Sequence, residues 1–238
     1  MLRLLFCIVA AALSLATTAA VAAAPLDIVP GGVIQARPPA TRYAQYYDVH
    51  KTAFPGTGKH LAPAPQGPAK VYLLRGFLNI FSLGMDDLAG RIKADGIPAT
   101  VTNHADADML VSEIVTSYQA GDHGPIILIG HSLGADAVIA MAQALNRYNI
   151  PVALVVLFDG TATHDVPGNV TTAVNFTKAF DLAPGPGFRG SLSNVDLGYD
   201  ASIDHFTIDK SPALQASTLD YVLHAATATP TAATAQWR

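Results

Sequence analysis

One serine lies between two glycines in the segment GPIILIGHSLGADAVIAMAQALN, directly after an apolar run and directly before a helical pattern. Gly130 precedes Ser132 by two residues and Gly134 follows it by two. On a sharp strand-to-helix turn the serine backbone is strained and lifts the hydroxyl clear of the sheet, while the glycines let strand and helix pass closely. The N–H of Leu133 would open the helix, where the helix dipole favours an oxyanion. The pattern therefore predicts a nucleophilic serine.

The pentapeptide GHSLG in this setting resembles the nucleophile elbow of the α/β-hydrolase superfamily, in the form common among lipases, esterases and thioesterases. The resemblance covers roughly residues 70–224 and extends to the order of elements. In that family the triad runs along the chain as Ser, then Asp or Glu, then His. The resemblance thus implies an acid and then a base after Ser132.

Two aspartates are candidates for the acid. Asp159 ends the apolar run VALVVLFD, the predicted strand after the elbow helix, and parallel sheets assemble their sites at the carboxyl ends of strands. Asp181 follows the next predicted strand, TAVNFTKAF, where many members of the family carry the acid. We favour Asp159 because its strand has the stronger pattern, and Asp181 stays open as the rival.

Three histidines follow the favoured acid. His164 is too close to Asp159 in the chain, and His224 lies near the end of the last predicted helix, where a cation is favourable. His205 lies in the loop before that helix, which is the family's position for the catalytic histidine. Because a histidine titrates near neutrality, His205 suits a general base. We expect His131, inside the elbow, to shape the pocket rather than to carry a proton.

The resemblance also implies an oxyanion hole of backbone N–H groups. One donor is Leu133, and the second comes from the loop LLRGFLNIFSLG after the first core strand, with Phe77 or Gly76 as candidates. Arg75 stands where lipases carry a histidine before this glycine. We expect Arg75 to pair with a carboxylate of its own protein, and pairing with an acidic group on the substrate is the alternative.

From Lys70 onward, apolar runs alternate with helical patterns. This alternation predicts an α/β fold: a doubly wound, mostly parallel sheet with helices on both faces. The glycine-rich segment DLAPGPGFRGSLSNVDLGYD is predicted to be a loop beside the site, and the interval between Asp159 and His205 leaves room for little or no lid domain. The predicted strands are KVYLLR, IPATVTNHA, PIILIG, VALVVLFD and TAVNFTKAF, and the predicted helices are MDDLAGRIKADG, DMLVSEIVTSYQAG, ADAVIAMAQALNRY and PALQASTLDYVLHAA.

The N-terminal residues 1–23 are predicted to be a cleaved signal peptide, because Arg3 is followed by an apolar stretch and then by small residues. A retained membrane anchor is the alternative. We divide the rest into an irregular proline-rich extension (24–69), a hydrolase domain (70–225) and a frayed Ala/Thr-rich tail (226–238). Cys7, the only cysteine, lies in the predicted signal peptide, so the mature protein would have no thiol. We expect an exported protein, periplasmic or secreted, without a membrane span after cleavage.

The composition of the chain limits the classes of partner that we expect. The chain is 13% charged with a formal net charge of −4, which gives no reason to expect nucleic acid as a partner. No histidine spacing indicates a metal site, and the mechanism needs no cofactor. We expect a small-molecule or lipid-like carboxylic ester as substrate, with a thioester as the second choice. An acyltransferase with the same triad and a non-catalytic binding protein on a hydrolase fold are the alternatives, and the oligomeric state stays open.

Overall fold

The computed structural model describes residues 67–77 and 79–227, so the predicted signal peptide and nearly all of the predicted extension and tail lie outside the described residues. The described residues form eight strands: β1 (Lys70–Arg75), β2 (Ala99–Asn103), β3 (Ile126–His131), β4 (Val152–Phe158), β5 (His164–Val166), β6 (Val170–Thr177), β7 (Leu182–Pro184) and β8 (Ser191–Asp196). Six of them form one parallel sheet in the order β2-β1-β3-β4-β6-β8, and β5 pairs with β7 in a small second sheet.

Helices cover both faces of the large sheet. They are α1 (Gly84–Ala94), α2 (Ala107–Gln119), α3 (Leu133–Asn146) and α4 (Pro212–Thr227), with short 3₁₀ turns at His104–Asp106 and Ile208–Lys210. Helices α1 and α4 pack on one face, and α2 and α3 pack on the other. This confirms the predicted doubly wound α/β class. Among the described residues, no helix combines the length and apolar character needed to cross a bilayer.

The central strands show why their sequences lack polar alternation. In β3, Ile127 and Ile129 contribute to the core under α1 and α4, whereas Leu128 between them contributes to the core under α2 and α3. Successive side chains of a strand point to opposite faces, so a strand covered on both sides is apolar throughout. All three are fully buried.

The prediction of a loop over DLAPGPGFRGSLSNVDLGYD was wrong in part, because this segment contains β7 and β8. Strand β8 is the edge of the sheet, and Val195 is its only buried residue, so its sequence has no apolar run. Gly190 leads into it, and a side chain there would collide with the carbonyl oxygen of Thr171 on β6. Between β4 and α4 the described chain forms only β5 to β8 and one 3₁₀ turn.

Candidate active site

Ser132 lies on the turn between β3 and α3 with φ 58° and ψ −126°. A non-glycine residue held at such a positive φ stores about 1–3 kcal/mol of strain. The turn is held by the Ser132 N–H, which donates to the carbonyl oxygen of Phe158 at 3.0 Å. A side chain at Gly130 would collide with the carbonyl oxygen of Gly134, and one at Gly134 with that of Leu74. Close passage of β1, β3 and α3 therefore requires both glycines.

The imidazole of His205 lies between Ser132 and Asp159. Its Nε2 is 2.9 Å from Ser132 Oγ, and its Nδ1 is 2.8 Å from Asp159 Oδ2. Because a carboxylate only accepts hydrogen bonds, Nδ1 carries the proton and Nε2 accepts from the serine hydroxyl. The His205 side chain is 36% exposed, so solvent can reach this side of the three hydrogen-bonded side chains.

Asp159 directly follows β4 and is fixed by its own backbone and its carboxylate. Its N–H donates to the carbonyl oxygen of Phe176 at 2.8 Å, and its Oδ1 accepts from the Lys178 N–H at 2.8 Å. Burial acts to raise the pKa of this carboxyl, but the hydrogen bonds from His205 and Lys178 outweigh it, and the pKa lies below its ordinary value. Asp159 is therefore an ionised partner for the histidine.

Asp181, the rival acid, is exposed between β6 and β7 and makes no hydrogen bond to His205 in the described part of the chain. The hydrogen bond that His205 donates to Asp159 raises the pKa of His205 above its ordinary value, although burial opposes this. Asp159 is therefore the main carboxylate that raises the pKa of His205.

The three side chains follow one another in the chain as Ser132, Asp159 and His205. Ser132 and Asp159 lie at the carboxyl ends of neighbouring parallel strands, and His205 lies in the loop before the last helix. These residues are carried by the parallel sheet and its flanking helices, an α/β fold.

Comparison with solved structures finds similar chains at low sequence identity. A cutinase-like protein from Cryptococcus sp. has a TM-score of 0.49 and 16% identity, over 71% of this chain and 100% of that one. A protein from Xanthomonas campestris pv. campestris, assigned to the α/β superfamily of hydrolases, has a TM-score of 0.38 and 16% identity over 65% and 96%. The type II thioesterase BorB of the borrelidin biosynthetic cluster has a TM-score of 0.38 and 12% identity over 70% and 100%. No protein-family model matches the chain, and comparison with curated proteins finds no match.

The loop after β1 passes directly over Ser132. A side chain at Gly76 would lie 2.8 Å from Ser132 Cβ, so the approach requires glycine. The Gly76 N–H donates to Ser82 Oγ at 3.0 Å, and this engagement removes Gly76 from the predicted oxyanion donors. Phe77 and Leu133 remain as candidate oxyanion donors. Leu133 is the first residue of α3, so its N–H has no carbonyl acceptor in a preceding helical turn.

The side chains of Arg75 and His164 have partners within the protein. Arg75 donates to the Asp86 carboxylate on α1 through Nε, at 2.8 Å, and also through Nη2, which is the kind of pairing expected from the sequence. His164 Nε2 is 2.8 Å from Asp136 Oδ1 on α3. Among residues 67–77 and 79–227, no group of three or more His, Cys, Asp or Glu side chains is arranged to hold a metal ion.

Sequence reasoning missed two residues that hold the site together, Ser82 and Lys178. The Lys178 ammonium group donates to the carbonyl oxygens of Asp200 at 2.9 Å and Ile203 at 2.6 Å, in the loop that leads to His205. The only available signal was the position of Lys178 at the carboxyl end of β6, beside the strand that carries Asp159. Ser82 accepts from Gly76, and nothing in its sequence setting indicates this.

An apolar rim borders the site. It consists of large side chains that are 43–63% exposed: Phe77, Ile80, Phe81, Leu83 and Phe206. The rings of Phe81 and Phe206 are 5.3 Å apart, and the ring of Phe206 meets that of His205 edge-on at 5.4 Å. The rim therefore joins the loop after β1 to the loop before α4 that carries His205, beside Ser132. We call the latter the histidine loop. Exposed apolar side chains clustered at one place make the rim a candidate binding surface.

Proposed function

We propose that the protein is a serine hydrolase that cleaves carboxylic esters through an acyl-enzyme on Ser132. The observation that carries the proposal is the unbroken set of hydrogen bonds from Asp159 through His205 to Ser132. The proposed roles are those of a serine triad: Ser132 is the nucleophile, His205 the general base and then acid, and Asp159 the group that fixes the tautomer.

In the first half-reaction, Ser132 Oγ attacks the ester carbonyl carbon while its proton moves to His205 Nε2. The resulting oxyanion accepts hydrogen bonds from the N–H groups of Leu133 and Phe77. His205 then gives the proton to the departing alcohol oxygen, and an acyl-serine ester remains. In the second half, His205 takes a proton from water, the hydroxide attacks the acyl carbon, and Ser132 recovers its proton as the acid leaves.

The apolar rim supports an ester with an apolar acyl group as the substrate class. Burying one large apolar side chain or an equivalent stretch of acyl chain yields about 1.5–3 kcal/mol, so a rim of this size favours esters that present several methylene groups. A thioester with the same acyl group would react by the same steps, with a thiol as the leaving group.

Export is part of the proposal and is supported by the N-terminal sequence of residues 1–23. N-terminal sequencing of the mature protein tests it: a start near residue 24 supports export with cleavage. A start at the initiator methionine in a membrane fraction would instead support the retained anchor.

Active-site labelling tests the proposed reaction. The purified protein is treated with a fluorophosphonate, and the modified residue is mapped by mass spectrometry, alongside Ser132→Ala and His205→Ala. We expect label on Ser132, no label in Ser132→Ala, and strongly slowed labelling in His205→Ala. A folded wild type that takes no label would overturn the hydrolase and leave the non-catalytic binding protein.

A further inference from the structure

His131, next to the proposed nucleophile, is 1% exposed, and both of its ring nitrogens are hydrogen-bonded. Nδ1 is 2.8 Å from Ser82 Oγ, and Nε2 is 2.7 Å from the backbone carbonyl oxygen of His205. Its ring also lies 5.1 Å from that of His205. The proposed triad uses none of these contacts.

The direction of each hydrogen bond follows from the chemistry of the partners. The carbonyl oxygen of His205 only accepts, so His131 Nε2 carries a proton. Burial lowers the pKa of His131 to about 4, so the ring is neutral at pH 7 and Nδ1 is an acceptor. Ser82 must then donate its hydroxyl proton to Nδ1, while its oxygen accepts from the Gly76 N–H.

We infer that His131 is a positioning residue that couples the loop after β1 to the histidine loop, through the continuous relay Gly76–Ser82–His131–His205. The inference rests on the proposed function. One end of the relay is the N–H directly before Phe77, the proposed oxyanion donor, and the other end is the backbone of the proposed base. The relay fixes the separation between the two groups that must act together on one carbonyl.

Breaking the relay lets the base and the oxyanion donor shift relative to Ser132. Misplacement of a catalytic group by about 1 Å lowers rates roughly 100-fold, so we expect kcat to fall about 10- to 100-fold while KM changes little. Because one chain of hydrogen bonds carries the effect, a second break adds little to the first.

The variants separate the links of the relay. His131→Asn keeps an oxygen that can accept from Ser82 but is too short to reach the His205 carbonyl oxygen. Ser82→Ala removes the hydroxyl, and Ser82→Thr restores it. The control is Asn169→Leu, which removes a buried side chain that donates to the carbonyl oxygens of Ala142 and Ile150 away from the site. Each variant is measured for thermal unfolding, for kcat and KM on a p-nitrophenyl ester, and for the rate of fluorophosphonate labelling.

We expect His131→Asn and Ser82→Ala to label 10- to 100-fold more slowly, Ser82→Thr to recover most of the rate, and Asn169→Leu to lose stability without losing rate. The double variant His131→Asn/Ser82→Ala should label about as fast as the slower single variant. A double loss equal to the product of the single losses would overturn the coupling. Wild-type rates in both single variants would overturn the positioning role while leaving the hydrolase intact.

A measurement without substrate separates this inference from the proposed function. Nitrogen-15 NMR of the histidine rings at pH 7 should show His131 protonated on Nε2 and bare on Nδ1. A ring protonated on Nδ1 would overturn the relay even in an active enzyme. A wild type that takes no label overturns the proposed hydrolase and the positioning role with it.

Discussion

Ser132 Oγ lies 2.9 Å from His205 Nε2 although 73 residues separate them in the chain. Two features produce this contact. The first is the turn that carries Ser132 at the carboxyl end of β3, and the second is the histidine loop before α4, which places His205 at the same end of the sheet. The first feature requires backbone strain at Ser132, and the second requires the histidine loop to be held against the sheet. Each feature leads to a prediction.

The strain at Ser132 predicts that glycine at this position stabilises the protein. Glycine occupies positive φ freely, so Ser132→Gly should be inactive yet more stable than Ser132→Ala by about 1 kcal/mol. Urea unfolding of the two variants measures the difference. At Ser112, on the exposed side of helix α2, the order should reverse, because glycine in a helix is less favourable than alanine by about 1 kcal/mol. The same order at both positions would contradict the strain.

The pairing of His205 with Asp159 predicts a specific pH dependence. The base must be neutral, so kcat/KM should rise with pH, with a midpoint above the ordinary pKa of histidine because Asp159 stabilises the protonated ring. Asp159→Asn removes this stabilisation: the midpoint should move down, and the rate should fall by about 10³- to 10⁴-fold because the tautomer is no longer fixed. Asp181→Asn is the matched control and should leave both unchanged. The reverse result would assign the acid to Asp181.

The elbow and the sheet were predictable because their requirements are local. The glycines around Ser132, the apolar run before it and the helix after it lie in one continuous segment. The central strands are buried on both faces, so their apolar runs identify the fold class. The position of His205 beside Ser132 could be expected from the residue order that the family resemblance implies.

The supports of the site were not predictable because their partners are far apart in the chain. The relay joins Ser82 to His131 across 49 residues and His131 to the His205 backbone across 74. A single hydroxyl and a single imidazole leave no pattern that periodicity reveals. Strand β8 was missed for a different reason: at the sheet edge it needs only one buried side chain.

The ammonium group of Lys178 is a second support of the histidine loop. Lys178→Met keeps the apolar stem and the N–H that binds Asp159, but it removes the ammonium group that holds the carbonyl oxygens of Asp200 and Ile203. We expect kcat to fall about 10-fold. Amide hydrogen exchange should become faster in residues 198–206. Lys93→Met, at an exposed position of helix α1, is the control. Unchanged exchange in the loop would show that the ammonium group does not hold it.

The apolar rim predicts a preference for longer acyl chains. Ile80→Ser removes a side chain that is 62% exposed and has no part in the proposed chemistry. We expect its kcat/KM to fall roughly 10-fold on p-nitrophenyl esters of long acids and to stay within about 2-fold on the acetate, since only the longer chain reaches the rim. Leu223→Ser makes a similar change on α4 and should affect neither. Equal losses on both esters would contradict a role in acyl binding.

Asp209 is fully buried, four residues after His205, and its two carboxylate oxygens differ. Oδ2 accepts from the Gly84 N–H at 2.9 Å at the start of α1, and Oδ1 has no hydrogen-bond partner. Burial raises its pKa to about 6, while Lys210 and the Gly84 N–H act to lower it. The folded state therefore favours the protonated acid more than the unfolded state does.

The raised pKa of Asp209 makes the folded state less stable as the pH rises. Its contribution to stability is present below its ordinary pKa and is lost as the pH rises through about 6, because the charged carboxylate is buried. Asp209→Asn keeps an oxygen for the Gly84 N–H and carries no charge. We therefore expect the variant to gain up to about 3 kcal/mol over the wild type between pH 4 and pH 7, measured by urea unfolding at several pH values. Asp220→Asn, an exposed change of the same net charge, controls for overall electrostatics. A difference between Asp209→Asn and the wild type that stays constant with pH would mean that the buried carboxyl does not titrate in this range.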